Sequence, residues 1–420
     1  MFLTKESNKL MSFFIQHNCI THIKQTKKTD IVLEKLYRDI IEGVSYINRL
    51  KAKKGPLFYK LKTSEITNVT QIPKPSTFPP NSFPEEVRNH IDEYSLTALS
   101  YSFRLFNRHI TIFFLTEHGI PEQEIETYNN YVDYMLVWLY IVNTYSSKSC
   151  AEELKVYIYH TSLLKELPRS NIDILDRQHV NTAFTRTCPK NSEIVVFRRE
   201  EWFKSFIHET FHNFGLDFSN MEQTGCNEKI LSIFPVSSEV NLFESYTEFW
   251  GRIMNALFCS YISMKNKEDI DEFLTNAEFF IRLERTFAFF QMTKVLNFMD
   301  MSYKNMYEKT RHSESIRRTM FKEKTNVLSY YIITTILLNS YQGFLSWCNT
   351  NNTMLIQFKK TIANVDAFCY FIEKKYRTNT MLDGIECMEK MLVKTRRASK
   401  KERSIGYLLK NLRMTICELG

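Results

Sequence analysis

Residues 201–215 read E-W-F-K-S-F-I-H-E-T-F-H-N-F-G, so His208 and His212 stand four positions apart. On a helix that spacing puts both imidazoles on one face, one turn apart, where they can reach a single metal ion. Glu209 directly follows the first of them, placed to take a proton from a metal-activated water instead of binding the ion itself. Phe203, Phe206, Ile207, Phe211 and Phe214 recur at helical spacing, and Gly215 stands where a helix would end. Nitrogen donors at this spacing suit Zn2+, and the chemistry they serve is hydrolysis.

A three-ligand site needs one more donor. Residues 237–258 predict a helix opened by capping serines, with Glu244 and Glu248 one turn apart on it. Glu244, Thr247 and Glu248 give E-x-x-T-E, which resembles the E-x-x-[ST]-[DE] segment of gluzincin metallopeptidases, the thermolysin-like branch of the zincins. The resemblance implies Glu244 as the third ligand and Glu248 as the acid that steadies a zinc-bound imidazole. The Asn that usually precedes the ligand Glu directly is displaced, since Leu242 and Phe243 separate Asn241 from it. H-E-T-F-H-N-F-G also matches the opening of the metzincin pattern, but the position of the third ligand there is Phe218, which cannot bind zinc. Asp217 and Glu248 therefore stand as alternatives to Glu244.

The likeness to zincins covers about residues 100–260. Within it, H-V-N-T-A-F-T-R occupies the place of the zincin edge strand that borders the cleft, which makes Asn181, Thr182, Ala183 and Phe184 the implied substrate-binding strand. The combination of H-V-N-T-A-F-T, F-R-R-E-E-W-F-K, I-H-E-T-F-H-N-F-G-L-D-F-S and E-S-Y-T-E-F-W also resembles uncharacterised zincin-like proteins of large nucleocytoplasmic DNA viruses. Richness in Asn, Lys, Ile and Phe suits such AT-rich genomes.

The elements that must position these residues follow from the pattern. Residues 101–106 and 109–116 predict a hairpin turning at Asn107-Arg108, and Pro121 opens a helix that runs through 131–142. Strands follow at 155–160, 179–186 and 193–198, ahead of the motif helix. The fold class is α+β: a zincin-like core of mixed sheet, active-site helix and ligand helix, with mainly helical N- and C-terminal regions. The expected organisation is an N-terminal region of uncertain role at 1–72, a proline-rich linker and helix at 73–99, a catalytic core at 100–264 and a helical C-terminal region at 265–420. Residues 322–347 form one of the long helical runs of that last region.

Composition narrows the function further. With 44% hydrophobic and 24% charged residues the chain belongs with folded proteins, and only 10 Gly, none in a phosphate-binding pattern, argue against a nucleotide-loop enzyme. The net charge of +8 is dispersed; Lys51, Lys53, Lys54 and Arg396, Arg397, Lys400, Lys401, Arg403 cluster as solvated surface, with nucleic-acid binding as the weaker reading. Nine Cys without a C-x-x-C pair suggest reduced thiols in a cytoplasmic compartment, or a virion or host cytoplasm if viral. No signal peptide is evident, and the apolar runs are too short to span a membrane.

The expected function is a zinc metallopeptidase acting on peptide or protein substrates. Two other classes share the same residues: a non-catalytic interaction or virion module on this fold, and a nucleic-acid-associated protein. Tyr246 and His312 are the candidates for stabilising an oxyanion, and Arg198 and Arg199 for steering an acidic substrate, each weighed against ordinary structural placement.

Overall fold

Alternating apolar residues at 97–116 fold into two arms of a hairpin, β2 (Thr97–Leu105) and β3 (Arg108–Thr116), and the computed structural model describes them with residues 3–55, 58–399 and 404–419. With β1 (Lys60–Glu65), β4 (Glu153–His160), β5 (Ala183–Thr185) and β6 (Asn191–Val196) they form a six-stranded sheet in the order β1-β2-β3-β4-β6-β5. The β3–β4 and β4–β6 pairs are parallel; β1–β2, β2–β3 and β5–β6 are antiparallel. The result is a mixed sheet backed by helices, and β5 is its terminal strand on the side of the chemistry.

The two faces of the sheet separate by side-chain alternation. On β4, Val156 and Ile158 join the large apolar cluster that includes the motif helix Trp202–Asn213 and the helix Glu122–Tyr145. Tyr157 and Tyr159 join a smaller cluster on the other face with Val87 and Ile91 of the helix Glu85–Tyr94. The large cluster continues from Leu10 to Leu419 through the long helices Lys27–Lys54, Leu242–Ser263 and Ile270–Phe298. Among the described residues no helix is long and apolar enough to cross a membrane.

Several local expectations change. The hairpin turns at Phe106-Asn107, with Phe106 at φ 54°, because β3 already begins at Arg108. The strand expected at 179–186 is divided: Asp176 caps a short helix Arg177–Val180, leaving only Ala183–Thr185 extended. The ligand helix begins at Leu242, beyond the serines expected to cap it, and Asn241 caps it without a side-chain bond. The run at 322–347 is broken into a π-helical segment Leu328–Ile333, the helix Thr334–Asn339 and the helix Tyr341–Asn351. Lys400, Lys401 and Arg403 lie outside the described residues.

The cysteines correct the expected compartment. Cys19–Cys387, Cys150–Cys188 and Cys226–Cys369 are disulfide-bonded, and only Cys259, Cys348 and Cys417 are free, all buried. Disulfides persist in oxidising surroundings, so this pairing contradicts the reducing cytoplasmic compartment inferred from cysteine number and spacing. The partners are 368, 38 and 143 residues apart, and no local motif announces such pairs.

Candidate metal centre

The motif helix is buried along its whole length, from Trp202 to Asn213. Trp138, on the helix Glu122–Tyr145, donates its indole N–H to Thr210 at 2.6 Å and fixes the rotation of the motif helix. The helix stops at Gly215, whose φ of 65° suits a residue without Cβ. There Gly215 N–H bonds to His212 O at 3.0 Å and Leu216 N–H to Phe211 O at 2.8 Å, the pair of bonds that defines a Schellman turn. The turn folds the chain back along the helix and delivers Asp217 to His212.

His208 and His212 point their Nε2 atoms at one another, 3.2 Å apart. The ligand helix Leu242–Ser263 packs across the motif helix and brings Glu244 Oε2 to 3.2 Å from His208 Nε2 and 3.4 Å from His212 Nε2. The three donors thus make a nearly equilateral triangle. Ligands about 2.0–2.1 Å from a tetrahedral ion are separated by about 3.3 Å, so this donor set fits zinc with a fourth position left open. Among the described residues, His208, His212 and Glu244 are the group able to hold a metal ion.

Each imidazole is held by a carboxylate on its other nitrogen. His208 Nδ1 donates to Glu248 Oε2 at 3.0 Å, and His212 Nδ1 donates to Asp217 Oδ2. Such bonds set the ring orientation and leave Nε2 for the metal. Glu248 is in turn paired with Lys204 Nζ at 3.0 and 3.2 Å, with both side chains buried. Burial would lower both imidazoles, but Glu244 and Glu248 outweigh it at His208, and Asp217 and Glu244 outweigh it more strongly at His212, so both are raised. Burial would likewise raise Glu248, yet Lys204 and His208 hold it down at about 2. Glu209 has no such cation bonded to it, and burial pushes its carboxyl up to about 6.

The triad and Glu209 line a cavity of about 750 Å³. Asn181, Ala183, Phe184 and Thr185 form one wall, while Thr182 is buried and accepts a bond from Phe197 N–H through its carbonyl. Tyr330, on the π-helical segment, lines the same cavity, and its hydroxyl donates to Glu244 Oε2 at 3.0 Å. Burial, with Glu244 and Glu209 nearby, pushes this hydroxyl well above its usual range and keeps its proton in place. A π turn admits an extra residue and re-aims the side chains it carries, which is the local reason Tyr330 faces the site.

Sequence reasoning did not find Tyr330, because one tyrosine among 22 on an apolar helix carries no spacing signal. It offered Tyr246 and His312 instead. Tyr246 is buried elsewhere, donating to Ile356 O at 3.0 Å, and His312 is exposed on the helix Arg311–Met320, away from the cavity. Arg198 is buried and spent on the carbonyls of Asn181, Leu164 and Gln178, and Arg199 does not line this cavity. Asp217, weighed as a rival third ligand, lies on the far nitrogen of His212.

No family model, curated protein or solved structure matches the chain. What can be said of its chemistry rests on its own residues: a His208-Glu209-x-x-His212 segment and a distal Glu244 that form a metal-ligand triad resembling an HExxH zinc site.

Proposed function

We propose that the protein is a zinc-dependent metallopeptidase of the gluzincin type on a zincin-like core. The observation that carries this reading is the near-equilateral arrangement of His208 Nε2, His212 Nε2 and Glu244 Oε2, with Glu209 beside it and a free strand edge in the same cavity. His208, His212 and Glu244 would hold the ion, and Glu248 and Asp217 would keep the imidazoles in place. A zinc ion held there supplies Lewis-acid activation of a water and polarisation of the scissile carbonyl.

The protein's own groups do the rest. Glu209, raised toward neutrality by its burial, takes the proton of the attacking water and passes it to the leaving amine. Tyr330, turning from Glu244 to the carbonyl oxygen, donates a hydrogen bond as negative charge grows there. β5 has a partner strand on one side only, so an extended peptide can pair with its other edge and lie across the site. Peptide cleavage that a chelator abolishes and zinc restores is the expected result. Glu209→Gln should retain zinc while losing turnover, and full activity in that variant would contradict the reading.

A further inference from the structure

The proline-rich segment at 73–84 is clamped to the sheet. Glu193, buried on β6, accepts bonds from the backbone N–H of Ser76 at 2.9 Å and of Thr77 at 2.8 Å, and from their hydroxyls at 3.1 and 2.5 Å. Arg186 adds a bond from Nη2 to Thr77 O at 2.8 Å and lays its guanidinium 5.3 Å over the ring of Phe78. Phe78 is thereby set edge-on to Phe184 of β5, with ring centroids 4.9 Å apart at 74°. Phe83 meets Phe184 from another side at 5.0 Å.

Phe78 and Phe184 are only half-buried, and both line the cavity that contains His208, Glu209 and Glu244. Pro79 and Pro80 follow Phe78 directly, and their fixed φ makes this wall rigid before anything binds. In a peptide paired along β5, alternate side chains point to opposite faces of the extended sheet. Phe184 packs with Phe197 and Tyr159 on the face away from the motif helix, so every second substrate side chain is delivered to that aromatic edge. An aromatic or large aliphatic group there covers exposed ring surface and takes up the edge-to-face geometry already present.

We infer that Phe78 and Phe184 form a specificity pocket selecting an aromatic or large aliphatic side chain of an extended peptide, with Glu193 as the residue that positions Phe78. This rests on the peptidase reading of the cavity. The test uses zinc-loaded Glu209→Gln protein, which holds peptide without turnover, and labelled, N-acetylated, C-amidated Gly/Ser heptapeptides with a single Phe walked through each position. Phe at one position, or at two alternate positions, should tighten binding roughly tenfold over the Phe-free parent. Adding Phe78→Ala or Glu193→Gln should bring those peptides to within about threefold of the parent with zinc content unchanged. A positional Phe preference that survives both substitutions overturns the pocket and leaves the peptidase reading standing. If none of the heptapeptides binds, and the unsubstituted zinc protein cleaves none of them, the peptidase reading falls and the pocket with it.

Discussion

The carboxylate of Asp217 closes back over the Schellman turn to accept a bond from Nδ1 of His212, the counterpart of the bond that Glu248 accepts from Nδ1 of His208. The two supporting acids come from different places, one five residues along the same chain segment and the other from a separate helix. Each touches an imidazole, so either would act on a bound metal only through that ring.

That arrangement sets an order for metal loss. Asp217→Ala and Glu248→Ala should each weaken zinc binding by about 10–100-fold, and Glu244→Ala, His208→Ala and His212→Ala should abolish it more completely. Competition against a chromogenic chelator measures the series. Wild-type affinity in Asp217→Ala would show that its bond to His212 has no bearing on the metal.

Tyr330→Phe should keep zinc and substrate affinity but lower kcat by about 100–1,000-fold, the usual consequence of removing one donor to a developing oxyanion. Tyr246→Phe, which alters a bond to Ile356 and does not line the cavity, should leave kcat essentially as it is. Steady-state kinetics on both variants separates the two tyrosines.

Lys204 and Glu248 are a buried pair, so removing the lysine alone strands a charge beneath the site. Lys204→Met should destabilise the protein by about 3–5 kcal/mol, and Lys204→Met with Glu248→Gln should recover much of that. Urea denaturation of the metal-free proteins provides the comparison, and additive losses would argue that the two residues do not act as a pair.

Protonation and metal compete for the same nitrogens. Both imidazoles are raised above their ordinary value of 6.5, so in the metal-free protein their ion pairs stabilise the fold fully below that pH. The stabilisation is lost as pH rises through the raised values. Zinc binding runs the other way, because it requires the protons to leave and becomes easier as pH rises. The rise in Tm on adding zinc should therefore grow from pH 6 to pH 8, with proton release on binding visible in a weakly buffered indicator dye. A Tm shift that shrinks over this interval would contradict the assigned ionisation.

The disulfides make a count that can be checked directly. Denatured without reductant, the protein should expose three titratable thiols, Cys259, Cys348 and Cys417, and all nine after reduction. Nine thiols before reduction, in protein made in an oxidising compartment, would restore the reduced-cysteine reading.

Much of the site was legible because its parts are local. The i, i+4 histidines, Glu209 and the Gly215 stop lie within one short segment, and E-x-x-T-E lies within one helix turn. The mixed sheet was legible through β-branched and aromatic alternation in β2, β3 and β4. What escaped depends on contacts distant in sequence. β1 is almost wholly exposed and has no apolar alternation to reveal it, although it pairs with β2 over six residues. The π segment that aims Tyr330 looks like ordinary helix, and the clamp of Glu193 on Ser76 and Thr77 spans more than a hundred positions. Disulfide partners are likewise fixed by the folded path and not by spacing.

The bond between Cys19 and Cys387, which stand 368 positions apart, makes a covalent ring of nearly the whole chain. Opening a ring at one point does not divide it. A single cut in any loop between those two cysteines would leave the halves joined, and the large apolar cluster would still hold them in register. If the protein cleaves peptide bonds as proposed, this would give it tolerance of its own nicks. Such damage would pass unseen on a non-reducing gel and separate into fragments only when the bridge is opened.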